Sequence, residues 1–153
     1  MMTIRPAQLK RDLPAILHIE QDIFGDGAFG IGEFLYYYMR NRETFLVALS
    51  DEALVGYICT HNDEHEAYIA SIAVAPIVRR QGIGRELLLS VIQHYQAQDA
   101  MQSLSLHVRQ SNQGAIALYK SLGFDTIGTE QQYYPDEDAY YMRLSLRSDN
   151  LPD

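Results

Sequence analysis

Residues 79–88 read RRQGIGRELL. Two arginines lead into two glycines set one residue apart, and a third arginine opens a run of leucines. Upstream, residues 67–75 (AYIASIAVA) are apolar and rich in strand-forming types. Downstream, residues 84–98 (GRELLLSVIQHYQAQ) place Leu87, Leu88, Val91, Ile92 and Tyr95 at helical spacing. The quoted stretch therefore joins a strand to a helix. The first N–H groups of a helix lack intrahelical acceptors, and the helix dipole adds a partial positive charge there, so the spot attracts anions. Gly82 and Gly84 let a ligand approach the backbone closely, and Arg79, Arg80 and Arg85 supply charge. No lysine followed by Ser or Thr closes the stretch as a Walker loop, and the third glycine of a dinucleotide fingerprint is missing. Two readings stay open on these residues alone: a pyrophosphate cradle, or a tight turn with exposed arginines.

Working outward, residues 3–7 (TIRPA) read as a first strand and residues 11–24 (RDLPAILHIEQDIF) as a helix. Asp12 is placed to cap that helix, with Pro14 in its first turn and Ile16, Ile19 and Ile23 as its apolar stripe. The glycine-rich residues 25–32 read as loop, and residues 33–41 (EFLYYYMRN) resume as helix. Residues 44–50, 54–61 and 67–75 form three strands of an antiparallel meander, turning at 51–53 (DEA) and 62–65 (NDEH). After the central helix come a strand at 103–108 (SLSLHV) and a helix at 112–124 that ends on Gly123. A last strand at 139–146 pairs with the segment 124–134. This order predicts an α/β fold: one mixed, mostly antiparallel central sheet of about seven strands flanked by about four helices.

The 153 residues suit one domain, taken here as 1–147, with 148–153 expected to be a flexible tail. The formal net charge of −8 speaks against nonspecific nucleic-acid binding and would attract cationic partners such as amines or basic peptides. No apolar run reaches the ~20 residues that span a bilayer, and the polar start MMTIRPAQLKRD carries no signal-peptide core, so no membrane is expected and the location is read as cytoplasmic. The single cysteine, Cys59, rules out an internal disulfide and reads as a small core residue. His61 and His65 with Asp63 and Glu64 lie in a predicted hairpin turn without ligand spacing on a formed helix, so no metal is expected.

Taken together, SIAVAPIVRRQGIGRELL (71–88) and LHVRQSNQGAIALYKSLGF (106–124) resemble the GNAT acetyltransferase family. The first stretch resembles the family's R-x-x-G-x-G signature entered from an IAV-type strand. The second resembles its strand–helix element with N-x-x-A-I-x-L-Y-x-x-x-G-F. The resemblance runs from the first strand to the last and implies acetyl-CoA as co-substrate. It places the pyrophosphate on the amides of Arg79, Arg80, Gln81, Gly82, Ile83, Gly84 and Arg85, and the pantetheine arm along Ile72, Ala73 and Val74. It also implies fourth and fifth strands that splay apart, with the arm entering between them. Asn112 matches the position that contacts the cofactor arm, and Tyr119 the tyrosine near the thioester sulfur.

The chemistry asks for a base and an acid. An amine attacks only when neutral. At pH 7 this costs about 1 kcal/mol for an α-amine of pKa ~7.7–8.0 and about 4.6 kcal/mol for a lysine of pKa ~10.4. The leaving thiolate wants a proton, which a tyrosine can deliver. Many bacterial ribosomal-protein N-acetyltransferases carry Glu in L-E-V-R, where this chain has L-H-V-R. The histidine is similar to that of a branch of eukaryotic N-terminal acetyltransferases, which use it with a fourth-strand tyrosine through an ordered water. That resemblance implies His107 and Tyr68 as base and Tyr119 as acid. The bland alternatives are a satisfied strand histidine and two packed tyrosines.

Residues 131–142 (QQYYPDEDAYYM) resemble the element whose tyrosine pair lines the peptide channel of N-terminal acetyltransferases, which implies Tyr133 and Tyr134 as substrate-binding residues. The alternative is a hairpin with exposed aromatics. The other wall would come from the loop after the first helix, where Phe24 is followed by Gly25 rather than by the family's frequent proline. The expected function is acetyl transfer to a primary amine, foremost a protein or peptide N-terminus, by a monomer or homodimer. Acetylation of a small amine and non-catalytic acyl-CoA sensing are the alternatives.

Overall fold

A computed structural model of the chain describes residues 1–147, and the expected flexible tail, 148–153, lies outside the described residues. In chain order the elements are β1 (Met2–Pro6), α1 (Leu9–Phe24), α2 (Ile31–Arg40), β2 (Leu46–Ser50), β3 (Ala53–Asn62), β4 (Glu66–Val74), α3 (Ile83–Gln96), β5 (Ser103–Arg109), α4 (Gln113–Ser121), β6 (Asp125–Tyr134) and β7 (Glu137–Ser145). Short 3-10 turns occupy Gly25–Gly27, Arg42–Thr44 and Pro76–Val78. The seven strands form one sheet in the order β1-β2-β3-β4-β5-β7-β6. Among the described residues, four helices and a mixed, mostly antiparallel sheet match the expected fold class. No helix among the described residues is long and apolar enough to cross a membrane.

The chain divides into two compact units, Met1–His61 with Ile69–Val91, and Asn62–Tyr68 with the segment from Ile92 on. In the first unit, β1 and β2 run antiparallel from Met2↔Ser50 to Pro6↔Leu46, and β2 and β3 run antiparallel with a bulge at Ala48/Leu49. Asp51 and Glu52 both take left-handed φ (49° and 72°), which a two-residue hairpin requires, so the β2–β3 turn is shorter than DEA. Ile16 and Ile19 of α1 join Phe34, Phe45, Val47, Tyr57 and Cys59 in one buried cluster. Each large apolar side chain so buried is worth about 1.5–3 kcal/mol.

Two sequence expectations need correction here. The first helix begins at Leu9, not Arg11, with Gln8 as its N-cap. Asp12 is not the cap. It works from inside the first turn, where its carboxylate accepts the Gln8 N–H at 2.8 Å and both prongs of Arg5 at 2.7 and 2.9 Å. Pro14 accordingly lies inside the helix rather than in its first turn. The glycine-rich loop is also shorter than expected, because α2 starts at Ile31; Glu33 accepts the Gly30 N–H at 3.0 Å and satisfies one of the helix's leading donors.

In the second unit the first residues of β4 pair in parallel with β5 at Glu66↔Ser103, Ala67↔Leu104 and Tyr68↔Ser105. These three pairs involve strands of nine and seven residues, so most of each strand lies outside their ladder. On its other side β5 pairs antiparallel with β7 over its full length, from Ser103↔Ser145 to Arg109↔Ala139. β6 then pairs antiparallel with β7. Leu104, Leu106, Phe124, Met142 and Leu144 are buried in this unit.

Candidate active site

In the first unit, the glycine–arginine stretch bridges the end of β4 and the start of α3 as the sequence predicts. Arg80 and Gly82 take left-handed φ of 69° and 78°. Only at Gly82 is that conformation free of side-chain strain, which accounts for a glycine there. Helix α3 opens at Ile83, and the Glu86 N–H donates to the Gly82 carbonyl at 3.0 Å, so the loop hands over to the helix without a break. Arg79 turns back, its Nε donating to the Val74 carbonyl at 3.2 Å. Of the three strand residues singled out for the cofactor arm, Ala73 is buried and Ile72 and Val74 are half-buried.

The same unit contains a polar knot the sequence reading missed. Glu20, on α1, is buried, and its carboxylate accepts hydrogen bonds from the Tyr57 hydroxyl, the Ser71 hydroxyl at 2.9 Å and the Phe29 N–H at 2.9 Å. Burial, then the charge of Glu20 and its hydrogen bond, push the Tyr57 phenol far up, so it remains a donor. The Phe29 contact fastens the segment that follows Phe24, itself partly exposed at the end of α1.

In the second unit, three of the predicted residues meet. Tyr68 leaves β4 where the parallel ladder with β5 is formed, and its hydroxyl hydrogen-bonds to His107 Nδ1 on β5. The Tyr133 ring lies flat on the His107 ring, 4.2 Å between centroids and 4° between planes, with its hydroxyl 3.4 Å from that of Tyr68. Tyr141, the β7 residue opposite His107, stacks at 4.8 Å. Burial, followed by the Tyr133 contact, pushes the Tyr68 phenol far up.

A fifth residue completes the group. His107 Nε2 lies 2.8 Å from Glu130 Oε1, and Glu130 was not predicted. Its placement depends on an irregularity in β6. Between the pairs Glu130↔Ala139 and Tyr134↔Glu137, three residues of β6 face one of β7. Strict alternation would set Glu130 and Tyr133 on opposite faces. Gln132 takes a left-handed φ of 51° and its N–H donates to Asp138 at 2.8 Å, which breaks the alternation and lets both residues reach the histidine.

Tyr134 turns elsewhere: the Arg109 guanidinium sits 4.2 Å over its ring, and Asp136 and Glu137 hold that guanidinium at 2.8 and 3.3 Å. Burial, helped by Tyr133 and opposed by Arg109, pushes the Tyr134 phenol up to about 12. Asn112 is the N-cap of α4 and accepts the Ala115 N–H at 3.2 Å. Tyr119 is buried on α4, its ring 5.8 Å from that of Phe124, and burial pushes its phenol far up, so at neutral pH it rests in the protonated, donating form. In the turn before β4, Asp63 accepts the His65 and Glu66 N–H groups at 2.8 Å each, a turn-closing role.

The model of the acetyltransferase (GNAT) family matches residues 13–124 of this chain. The ribosomal protein bS18-alanine N-acetyltransferase of Escherichia coli is 36% identical over 140 residues, covering 88% of this chain and 92% of that protein. Among solved structures, Ard1 from Thermoplasma volcanium superposes with a TM-score of 0.87 at 29% identity, covering 94% of this chain and 97% of that one. The ribosomal-protein-S18-alanine N-acetyltransferase from Escherichia coli superposes with a TM-score of 0.83 at 33% identity over 100% of both chains.

Proposed function

The chain belongs to the GNAT acetyltransferase family, and on that premise we propose that it moves an acetyl group from acetyl-CoA to the α-amine of a protein or peptide N-terminus, with residues 1–147 acting as one catalytic domain. The observation that carries this reading is the hydrogen-bonded Tyr68–His107 pair roofed by the exposed ring of Tyr133. Relatives at 36% identity that act on a ribosomal-protein alanine support the same substrate class.

In this reading the amides of Arg79 to Arg85 hold the pyrophosphate and the edge of β4 at Ile72, Ala73 and Val74 guides the pantetheine arm, with Asn112 contacting it. The base is the Tyr68–His107 pair acting as a relay. Burial disfavours the Tyr68 phenolate, so the tyrosine does not keep a negative charge. It takes a proton from the substrate ammonium, directly or through a water, while passing its own proton to His107 Nδ1. The amine is then neutral and the charge rests on the imidazolium. The nitrogen lone pair forms a C–N bond to the acetyl carbonyl and the C–S bond breaks. Tyr119 gives the departing thiolate its proton and regains one from the attacking nitrogen, so it carries no lasting charge. The net change is one acetyl group from sulfur to nitrogen and two protons off the ammonium, one ending on the thiol and the other on the imidazolium, which releases it to solvent. Phe24, Tyr133 and Tyr134 line the peptide path. An α-amine, needing only about 1 kcal/mol to neutralise at pH 7, suits this modest base better than a lysine does. A single, unpaired cysteine fits a reducing compartment such as the cytoplasm.

The test is mass spectrometry of a peptide library incubated with acetyl-CoA. Acetyl groups on peptide N-termini are expected. Modification of small amines alone would defeat the peptide assignment, and coenzyme A binding without thiol release from any amine would defeat the catalytic one.

A further inference from the structure

We propose that Glu130 is a positioning residue that locks His107 in the tautomer able to receive a proton from Tyr68. The inference rests on the reading of Tyr68 and His107 as the base. An ionised carboxylate only accepts hydrogen bonds. The 2.8 Å contact with Glu130 Oε1 therefore makes His107 Nε2 the N–H nitrogen. A neutral imidazole carries one such hydrogen, so Nδ1 is the bare nitrogen, and the Tyr68 hydroxyl donates to it. With the opposite tautomer, the Nε2 lone pair would face the carboxylate and Nδ1–H would point at Tyr68. The hydroxyl could turn to accept that hydrogen, but the carboxylate could not turn to donate one. The lock thus lies at Glu130 rather than at Tyr68.

The other groups facing the ring do not compete for this role. Tyr133 and Tyr141 cover its two faces and meet it by stacking. The His107 side chain is 11% exposed and Glu130 is 52% exposed, so the pair contributes little to folding, and its consequence is in setting which nitrogen holds hydrogen. When Tyr68 hands over its proton, Nδ1 gains a hydrogen, Nε2 keeps its own, and the imidazolium faces the Glu130 charge. No atom of Glu130 is transferred.

Glu130→Gln tests this. Its amide can accept from Nε2–H or, flipped, donate to a bare Nε2, so it permits both tautomers. The primary readout is two-dimensional NMR of the ¹⁵N-histidine-labelled protein at a pH where His107 is neutral. The wild-type protein is expected to show His107 with hydrogen on Nε2 only, and the variant a mixture of both forms with an unchanged melting temperature. In the acetyl transfer assay, with acetyl-CoA and an alanine-starting peptide, kcat is expected to fall roughly tenfold, a part of the ~10²–10⁴ that a general base supplies. KM for acetyl-CoA should not move. A wild-type His107 with hydrogen on Nδ1, or an unchanged tautomer in the variant, overturns the proposal whatever the rate. His107→Ala separates the two levels. If that variant turns over like wild type, the base assignment falls and this inference with it; if it is inactive while Glu130→Gln keeps full kcat, Glu130 alone is dismissed.

Discussion

Replacing Glu20 by Gln keeps the shape of a buried side chain and removes half of its accepting capacity. The wild-type carboxylate takes three donors: the Tyr57 and Ser71 hydroxyls on Oε1 and the Phe29 N–H on Oε2. The Phe29 N–H is a fixed backbone donor, so the amide oxygen of Gln must turn toward it. The NH2 group then faces two hydroxyls, which must rotate to accept and lose Glu20 as the acceptor for their own hydrogens. Hydrogen bonds to a charged group are worth about 1.5–3 kcal/mol and neutral ones about 1 kcal/mol. Exchanging three of the former for neutral bonds costs about 3 kcal/mol, and relief from burying a charge returns part of it. A net loss of about 2 kcal/mol is expected, against a typical stability of about 5–15 kcal/mol. Urea unfolding with an unchanged slope should read this as a lowered midpoint. Hydrogen exchange supplies the local readout: the Phe29 amide should stay protected in Glu20→Gln and lose protection in Glu20→Ala. A Glu20→Gln protein within about 0.5 kcal/mol of wild type, the range of an ordinary surface change, would refute the accounting.

Gly82 has a φ of 78° and open space where a Cβ would stand, so Gly82→Ala should cost about 1–2 kcal/mol of backbone strain without a clash and weaken coenzyme A binding several-fold; calorimetry that found unchanged affinity would detach the loop from the cofactor. Burial opposes ionisation of Asp12, but the Arg5 fork, the Gln8 amide and nearby positive charge win and hold its carboxyl below the usual range. Its stabilising contribution should be full above an unfolded pKa of ~3.9 and disappear as pH falls through the lower folded value, so the urea midpoints of wild type and Asp12→Asn should converge in strong acid; a constant gap would contradict it. Cys59 is buried and its thiol is pushed far up by burial and the Glu20 charge, so a thiol reagent should label it only as fast as the protein opens; immediate labelling of native protein would contradict the packing.

Local patterns carried most of the fold into view from the sequence. The strand at 67–75, the loop glycines and the apolar helix after them are each recorded within a few consecutive residues. Tyr68 and His107 were legible as partners because the family resemblance names both, one on each of two neighbouring strands. Glu20 was not, since it lies on a helix and its partners Tyr57 and Ser71 lie 37 and 51 residues downstream on two strands. Asp12 looked like a helix cap for a related reason: its true partner, Arg5, precedes the helix and was read only as part of a strand. Glu130 was hidden by geometry, because regular alternation gives the wrong face for Tyr133 relative to it. Glutamine is not a residue type that announces a left-handed turn; the cause at Gln132 is the Asp138 carboxylate across the hairpin.

The surplus residues in β6 have an evolutionary implication. A strand edited by substitution changes one side chain at a time, whereas a strand with slack can be edited by length. Shortening the excursion between Glu130 and Tyr134 would let the ladder with β7 zip in regular step, leaving every apolar core position untouched while withdrawing the ring that covers the histidine. Descendants of this chain can therefore exchange or abandon that aromatic roof through a small deletion, and the hairpin would survive the experiment.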